Sequence, residues 1–171
     1  FILLDTILII ANISESEVDG DAYKENPNYQ KLLNEFGQSR VIPISAKLEG
    51  ELSQLSGEEA EEMMGMMGLK ESGLDKIIQK TYENLGLITF FTCGPKEIHA
   101  WPIKKGLTVR QAAGEIHSDL ERGFICADVF NYADLKSLGS ESAIKTSGKM
   151  RTEGQDYLMA DGDIINVKFN V

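Results

Sequence analysis

The sequence predicts a parallel α/β fragment followed by an α+β domain of the ubiquitin-like β-grasp type. In the first half, two apolar strand segments flank a helical segment, which is the pattern of a parallel crossover unit. In the second half, a strand hairpin, one amphipathic helix and further strands follow one another, as in a β-grasp. Residues 1–84 carry 16 acidic and 7 basic side chains, a net charge of −9, whereas residues 85–171 carry 11 and 10, a net charge of −1. This shift places the predicted boundary near residue 85 and gives domains 1–84 and 85–171.

The first predicted domain begins with a continuous apolar segment, Phe1 to Ala11, which suits a central parallel strand. A helix ended by Gly37 follows, and residues 41–46 form the second strand. The apolar face of that helix consists of Tyr29, Leu32, Leu33 and Phe36. Because two strands and one helix cannot enclose a core, we expect this part to be the end of a larger α/β domain.

Two more helices are predicted before the boundary. Ser56 and Glu59 form a capping box at the start of the first helix. Its methionines are expected to pack in the core, in preference to forming an adaptable binding groove; they are Met63, Met64, Met66 and Met67. The second helix, residues 73–85, is expected to be a packed linker between the domains. Its apolar stripe consists of Leu74, Ile77, Ile78 and Leu85.

The second predicted domain is organised around one helix. Thr108 and Gln111 form a capping box at its start, and Gly123 is placed to end it in a left-handed conformation. Its apolar face consists of Val109, Ala112, Ala113, Ile116 and Leu120. This one face is expected to pack on a sheet.

Four strands are predicted around this helix, at residues 87–93, 97–103, 124–130 and 164–171. The first two are joined by a turn at Gly94-Pro95. Residues 131–160 are interpreted as a loose connection with a short helix. In the last strand, one buried face is expected, formed by Ile165, Val167, Phe169 and Val171.

Composition excludes several classes of protein. No apolar run reaches the roughly 18 residues that a membrane-spanning helix needs, and the first residues lack the basic flank and cleavage site of a signal peptide. Cys93 and Cys126 form neither a disulfide framework nor a metal-binding motif. His99 and His117 are interpreted as structural or surface histidines. We therefore expect a cytoplasmic location, no membrane partner and no metal-binding residues.

A ligand site is predicted at the end of the first strand. Asn12-Ile13-Ser14-Glu15 follows that strand at its carboxyl end, where open α/β sheets bind ligands. Ser45-Ala46-Lys47 follows the second strand. The phosphate-binding pattern G-x-x-x-x-G-K-[ST] is absent from the sequence. No residue of this chain is therefore expected to be catalytic, and the chain alone is predicted to be inactive.

Three blocks of sequence carry a family resemblance. They are FFTCGPKEIHAW at 90–101, QAAGEIHSDLERGFICADV at 111–129 and SGKMRTEGQDYLMADGDIINVKFNV at 147–171. Together they resemble the carboxyl-terminal part of the YchF/Obg-like ATPase family, in which the end of a P-loop NTPase-like domain precedes a TGS domain. The resemblance implies that the complete protein binds and hydrolyses ATP, or more weakly GTP, with Mg²⁺, and that this chain alone binds none of these.

The resemblance also implies which residues contact the base. Ordinary GTPases carry Asn-Lys-x-Asp, whose Asp carboxylate accepts both guanine N–H groups. Here Ile13 and Glu15 replace the Lys and the Asp, which resembles the Asn-x-x-Glu variant of this family. For Lys47, contact with the base and a plain surface position both remain open. The implied base-site residues are Asn12, Ile13, Ser14, Glu15, Ser45 and Ala46.

Domains that resemble the second one occur in translation-linked proteins, which implies contact with RNA or the ribosome and no DNA specificity. Trp101 and Tyr157 could stack on bases. The alternative is that the basic side chains are ordinary solvated charges on a nearly neutral domain. The candidate contacts are Lys104, Lys105, Arg110, Lys145, Lys149 and Arg151.

Two functions are compatible with these observations. In the first, the complete protein is a translation-associated ATPase that contacts the ribosome or RNA through its TGS domain. In the second, the chain is a non-catalytic β-grasp module that binds RNA or protein without a nucleotide. A P-loop encoded upstream of Phe1 would favour the first function, and a start codon there would favour the second.

Overall fold

The computed structural model describes residues 7–94 and 97–170. The chain divides into two compact units, Phe1–Leu85 and Gly86–Val171. The beginning of the predicted first strand and part of the predicted Gly94-Pro95 turn lie outside the described residues. Among the helices that the structure describes, none combines the length and apolar character that crossing a bilayer requires.

Two parallel strands form the sheet of the first unit. They are β1 (Ile9–Asn12) and β2 (Val41–Ile44), paired from Ile9 opposite Val41 to Asn12 opposite Ile44. The connection between them contains α1 (Glu15–Val18), a 3-10 helix (Asp19–Glu25) and α2 (Pro27–Phe36). Over the described residues, the predicted strand–helix–strand unit is therefore confirmed, and its strands are parallel.

Helix α2 packs on one face of this sheet. Tyr29 is its buried residue, and it forms a cluster with Ala11 and Val41. Phe36 was predicted to share this face but is 37% exposed. It is the last residue of the helix, and Gly37 has a positive φ of 85° that turns the chain away there.

Three more helices complete the first unit: α3 (Ala46–Leu52), α4 (Gly57–Met66) and α5 (Gly73–Leu85). The predicted capping box is present, because the Glu59 carboxylate accepts hydrogen bonds from the Ser56 N–H (3.0 Å) and hydroxyl (2.8 Å). The prediction of a methionine core is wrong, since α4 has no buried residue and Met66 is 84% exposed. Met63, Met64 and Met67 are half-buried, so this helix lies at the surface of the first unit.

The start of α5 is held against α3 by one carboxylate. Glu49 accepts hydrogen bonds from the N–H groups of Gly73 (2.7 Å) and Leu74 (3.2 Å), which satisfies two orphan donors at a helix start. Within the first unit, however, the predicted stripe is not packed, because Leu74 and Ile78 are exposed. The amphipathic pattern predicted the helix correctly, but it did not predict that part of the apolar face is exposed.

The second unit contains one five-stranded mixed sheet with the order β4-β3-β7-β5-β6. Strands β3 and β7 are parallel, and all other neighbours are antiparallel. Its strands are β3 (Leu87–Cys93), β4 (Ile98–Lys104), β5 (Phe124–Asn131), β6 (Arg151–Glu153) and β7 (Asp163–Phe169). The four predicted strands are confirmed to within one or two residues, and the short edge strand β6 was not predicted.

Both faces of this sheet carry a core. On one face, α6 (Val109–Ile116) packs Val109 and Ala112 against Phe90 and Val129. On the other, Ile144 is fully buried against Phe130 and Ile164. It belongs to α9 (Glu141–Thr146), which follows α8 (Tyr132–Leu138).

The prediction of a loose connection at 131–160 is therefore wrong, because it contains α8, α9 and β6. Short polar caps set these helices: the Asn131 side chain accepts the Ala133 N–H (3.0 Å) and the Ser140 hydroxyl accepts the Ala143 N–H (3.2 Å). The prediction of one buried face on β7 is confirmed for Ile165 and Val167, which belong to the main core, whereas Val171 lies outside the described residues. Ile164 is buried beneath α9, whereas Phe169 lies beyond the core and is 47% exposed.

The central helix differs from the prediction at its end. The Thr108–Gln111 capping box is confirmed, but the helix breaks at His117, and α7 (Ser118–Arg122) continues separately. Gly123 has a φ of −92° and is not left-handed. Glycine is needed at this position for a steric reason, because a Cβ there would lie only 2.3 Å from the Asn170 carbonyl oxygen.

Candidate nucleotide-base site

The two loops that the sequence singled out lie together at one edge of the first sheet. One follows β1 and the other follows β2, and because these strands are parallel, their carboxyl ends meet. The loops enclose an open cleft of about 600 Å³. It is lined by Asn12, Ile13, Ser14, Glu15, Ser16, Ser45 and Lys47.

Backbone and side-chain hydrogen bonds join the ends of β1 and β2 and the loops that follow them. Asn12 Oδ1 accepts the backbone N–H of Ala46 at 3.1 Å, and the Ile13 N–H donates to the Ile44 carbonyl at 2.9 Å. The family resemblance implied that Ala46 belongs to the base site. In this structure its N–H is taken by Asn12, so contact between Ala46 and a base stays a prediction that requires this bond to open.

The loop after β1 is held by Glu17, which sequence reasoning missed. Its carboxylate accepts the Ser14 N–H (3.0 Å), the Ser14 hydroxyl (2.8 Å) and the Asn26 amide (2.9 Å). The Asn26 hydrogen bond, followed by those of Ser14, holds the pKa of Glu17 below its ordinary value. The Ser-x-x-Glu spacing was a readable capping-box signal. Because Asn26 also caps α2, Glu17 fixes the loop to that helix.

An ion pair crosses the cleft from one loop to the other. The Lys47 ammonium contacts the Glu15 carboxylate and lies 3.7 Å from Glu51 Oε1. The hydrogen bond to Glu15 is the main reason why the pKa of Lys47 is raised. The carboxylate of Glu15, the residue that replaces the guanine-binding Asp in the Asn-x-x-Glu pattern, is therefore engaged by a neighbouring side chain.

The cleft combines a half-buried apolar side chain, Ile13, with an amide and a neutralised carboxylate. Ser45 is buried and caps α3, because its hydroxyl accepts the Leu48 N–H. Within residues 7–94 and 97–170, no group of three His, Cys, Asp or Glu side chains could hold a metal ion. The cleft therefore offers apolar, amide, hydroxyl and paired-charge surface.

The six basic candidates of the second unit are not brought together. Lys104 ends β4 and Arg151 begins β6, which are the two outer strands of the five-stranded sheet. Four strand spacings separate them, roughly 19 Å. Lys105 follows Lys104, and Arg110 lies on α6 beside a different cleft of about 300 Å³.

Several of these cations already have partners. Lys145 pairs with Glu141 at 2.8 Å, and Lys149 pairs with Asp134. Arg110 Nε donates to the Glu121 carbonyl at 3.2 Å. The solvated-charge alternative therefore has support from these pairs, while RNA contact through the six residues stays a prediction.

The two aromatic candidates are part of the fold. Trp101 donates to Thr92 Oγ1 at 3.0 Å and stacks on Phe90. The Tyr157 hydroxyl donates to the buried carboxylate of Asp163 at 2.9 Å and accepts from Arg151 at 3.0 Å. Both rings are partly exposed, and stacking of either on a base stays a prediction.

The histidines behave as the sequence predicted. His117 Nδ1 accepts the Asp119 N–H at 3.1 Å and so caps α7. His99 contacts Glu97 at 3.2 Å and packs on Trp101. Cys93 and Cys126 are free thiols. These residues are structural or exposed, and none joins a cluster with metal-binding geometry among the described residues.

Comparison with known proteins finds one matching family model and several relatives. The family model YchF-GTPase_C, described as a protein of unknown function (DUF933), matches residues 87–170. A relative from Bacillus subtilis (strain 168), "Ribosome-binding ATPase YchF", is 43% identical over 165 residues, 96% of this chain and 45% of its own length. A protein of the same name from Shigella flexneri is 41% identical over 174 residues, 100% of this chain and 46% of its own.

A plant protein and two solved structures extend the likeness. "Obg-like ATPase 1" of Oryza sativa subsp. japonica is 41% identical over 96% of this chain and 42% of its own. The Schizosaccharomyces pombe YchF GTPase structure matches with a TM-score of 0.77 and 35% identity, over 94% of this chain and 43% of that one. A GTP binding protein from Pyrococcus horikoshii OT3 (TM-score 0.60, 22% identity, 95% and 45%) shows the fold alone. The chain thus spans less than half the length of these relatives.

Proposed function

The chain belongs to the YchF/Obg-like ATPase family, and we propose that it supplies the base side of an ATP-binding site in a translation-associated ATPase. The observation that carries this proposal is the cleft between the two loops, which gathers Asn12, Ile13, Glu15 and Ser45 at one sheet edge. The relatives are named ribosome-binding ATPases. In the complete protein, ATP, or more weakly GTP, would be hydrolysed with Mg²⁺.

The chain's own residues explain why adenine should be preferred. A guanine-binding carboxylate must accept N1–H and the 2-amino group together, but Glu15 is one methylene longer than Asp and should overshoot that geometry. Ile13 offers an apolar face and a backbone carbonyl. That carbonyl can accept from the adenine 6-amino group but would oppose guanine O6, and a buried unpaired acceptor costs about 1–3 kcal/mol.

Phosphate and metal binding must come from elsewhere. The sequence contains no phosphate-binding glycine-rich pattern, and the described residues contain no cluster that fits Mg²⁺. We therefore assign no catalytic step to this chain and expect it to be inactive alone. The residues present would bind and orient the base and exclude water from one of its faces.

The second unit is proposed to be a TGS domain of the β-grasp type that contacts the ribosome or RNA. Its support is a mixed sheet in which a hairpin, a helix on one face and a parallel β3–β7 pair follow the expected order. Because its basic residues lie at both outer strands and several are paired, such contact would use local patches in preference to one continuous groove.

The test is nucleotide titration of the complete protein and of an Ile13→Lys, Glu15→Asp double variant. We expect ATP to bind more tightly than GTP by about 5- to 150-fold, and the double variant to narrow or reverse that preference. A matched control is Ile78→Lys with Glu83→Asp, both on exposed positions of α5, which should leave the preference unchanged. Equal affinity for ATP and GTP in the unmodified protein would refute the proposed role of the cleft.

A further inference from the structure

Lys47 is placed to control which groups the cleft presents to a base. It lies in the first turn of α3, after β2, whereas its partner Glu15 lies after β1, 32 residues earlier in the chain. Both side chains line the same cleft. A second carboxylate, Glu51 on the next turn of α3, lies 3.7 Å from the ammonium and helps to keep it at this position.

The ion pair changes what Glu15 can do. A free carboxylate carries acceptor sites on two oxygens and can receive two parallel N–H donors, as guanine N1–H and its 2-amino group require. With the ammonium hydrogen-bonded to one oxygen, that oxygen is occupied and the charge of the carboxylate is partly compensated. Adenine loses nothing by this, because it has no such donor pair and its N1 would be repelled by a free carboxylate.

We propose that Lys47 is a specificity-determining residue, which favours adenine by holding the Glu15 carboxylate away from the base edge. This inference rests on the proposed nucleotide-binding function of the cleft. It differs from the explanation by side-chain length, in which Glu15 fails to recognise guanine because it is one methylene longer than Asp. The length explanation predicts no role for Lys47, so the two can be separated.

The pair is exposed enough to be altered without unfolding the protein. The Lys47 side chain is 69% exposed and the Glu15 side chain 36% exposed, and such pairs contribute little to stability. Lys47→Met removes the ammonium and keeps most of the stem, while Lys47→Arg keeps a cation. Lys31→Met, on the exposed face of α2, is the matched control for loss of one positive charge.

The experiment measures the affinity of the complete protein for ATP, GTP and ITP. In Lys47→Met we expect the ratio of ATP to GTP affinity to fall by about fivefold, equivalent to about 1 kcal/mol. ITP has N1–H but no 2-amino group, so it should gain less than GTP. Lys47→Arg and Lys31→Met should keep the ratio within about twofold, and adding Glu15→Gln to Lys47→Met should abolish the gain in GTP affinity.

The outcomes distinguish failure of the inference about Lys47 from failure of the proposed function. If the unmodified protein prefers ATP and Lys47→Met keeps the same ratio, the inference about Lys47 is overturned while the proposed function stands. If GTP and ITP gain equally, the gain does not come from a freed carboxylate, and the inference is also overturned. If the unmodified protein binds neither ATP nor GTP, the proposed function fails and the inference fails with it.

Discussion

Replacing Gly123 by Ala should destabilise the second unit strongly. Gly123 lies between α7 and β5, where the chain passes the end of β7. Its carbonyl accepts the Asn170 N–H at 2.9 Å, and a Cβ at this position would lie 2.3 Å from the Asn170 carbonyl oxygen and 2.9 Å from its carbonyl carbon. Both neighbours are backbone atoms, so no side-chain rotation can relieve the overlap.

The magnitude follows from this geometry. An ordinary contact between carbon and oxygen needs about 1 Å more than the 2.3 Å available, so the end of β7 must shift and its hydrogen bond to Gly123 must lengthen. Overpacking typically costs about 1–3 kcal/mol and a lost hydrogen bond about 1 kcal/mol. We therefore expect a loss of about 2–4 kcal/mol in the free energy of unfolding of this unit.

The assay is denaturant unfolding of the chain followed by fluorescence of its single tryptophan, Trp101, which lies in the second unit and therefore reports on it. Gly154→Ala is the matched control, because its Cβ would meet nothing within 4 Å and its φ is not positive. That variant should be neutral or slightly more stable. Equal unfolding midpoints for the two variants would refute the close approach at Gly123.

Three further outcomes are expected. The pKa of Asp128 is lowered, first by the hydrogen bond from Lys168 and then by that from Thr152. The ionised carboxylate therefore stabilises the fold above its unfolded pKa of about 4, and this stabilisation is lost as the pH falls through the folded pKa. Asp128→Asn should lower the free energy of unfolding by about 1 kcal/mol at pH 7 and by progressively less in acid, and a pH-independent loss would contradict this. Ile116→Asp should abolish the cooperative transition of the second unit, because Ile116 packs on its main core, whereas Ile125→Asp, at a 60% exposed position, should not. The purified chain should not hydrolyse ATP or GTP, and turnover above background would show that it contains catalytic residues.

The local elements of this fold were predictable where the sequence specifies them by neighbouring residues. Thr108–Gln111 and Ser56–Glu59 are capping boxes three residues apart, and both are present. The β3–β4 hairpin and the final strand follow from continuous or alternating apolar segments. These signals depend on interactions between residues that are close in sequence, so the local sequence is enough to predict them.

The wrong predictions concern features that depend on contacts between distant parts of the chain. Helix α9 has six residues, of which only Ala143 and Ile144 are apolar, and Ile144 is the one that is fully buried. A single buried side chain has no periodicity to detect. Gly123 was interpreted from a helix-end rule, but its true constraint is the neighbouring strand end at Asn170. In the candidate site, the loop positions were predictable, whereas the pairing of Lys47 with Glu15 depends on how two strands align.

The hydrogen bond between Asn12 and Ala46 has a consequence for the kinetics of any ligand in the cleft. A base that uses the Ala46 N–H must first break a bond that already satisfies this donor at 3.1 Å, so the gain is only the difference between two similar hydrogen bonds. The Ala46 N–H therefore has a hydrogen-bond partner before a ligand arrives, and it can return to Asn12 after the ligand leaves. Entry and departure of a ligand would then exchange one hydrogen-bond partner of Ala46 for a similar one, so this donor would add little to the residence time of the ligand.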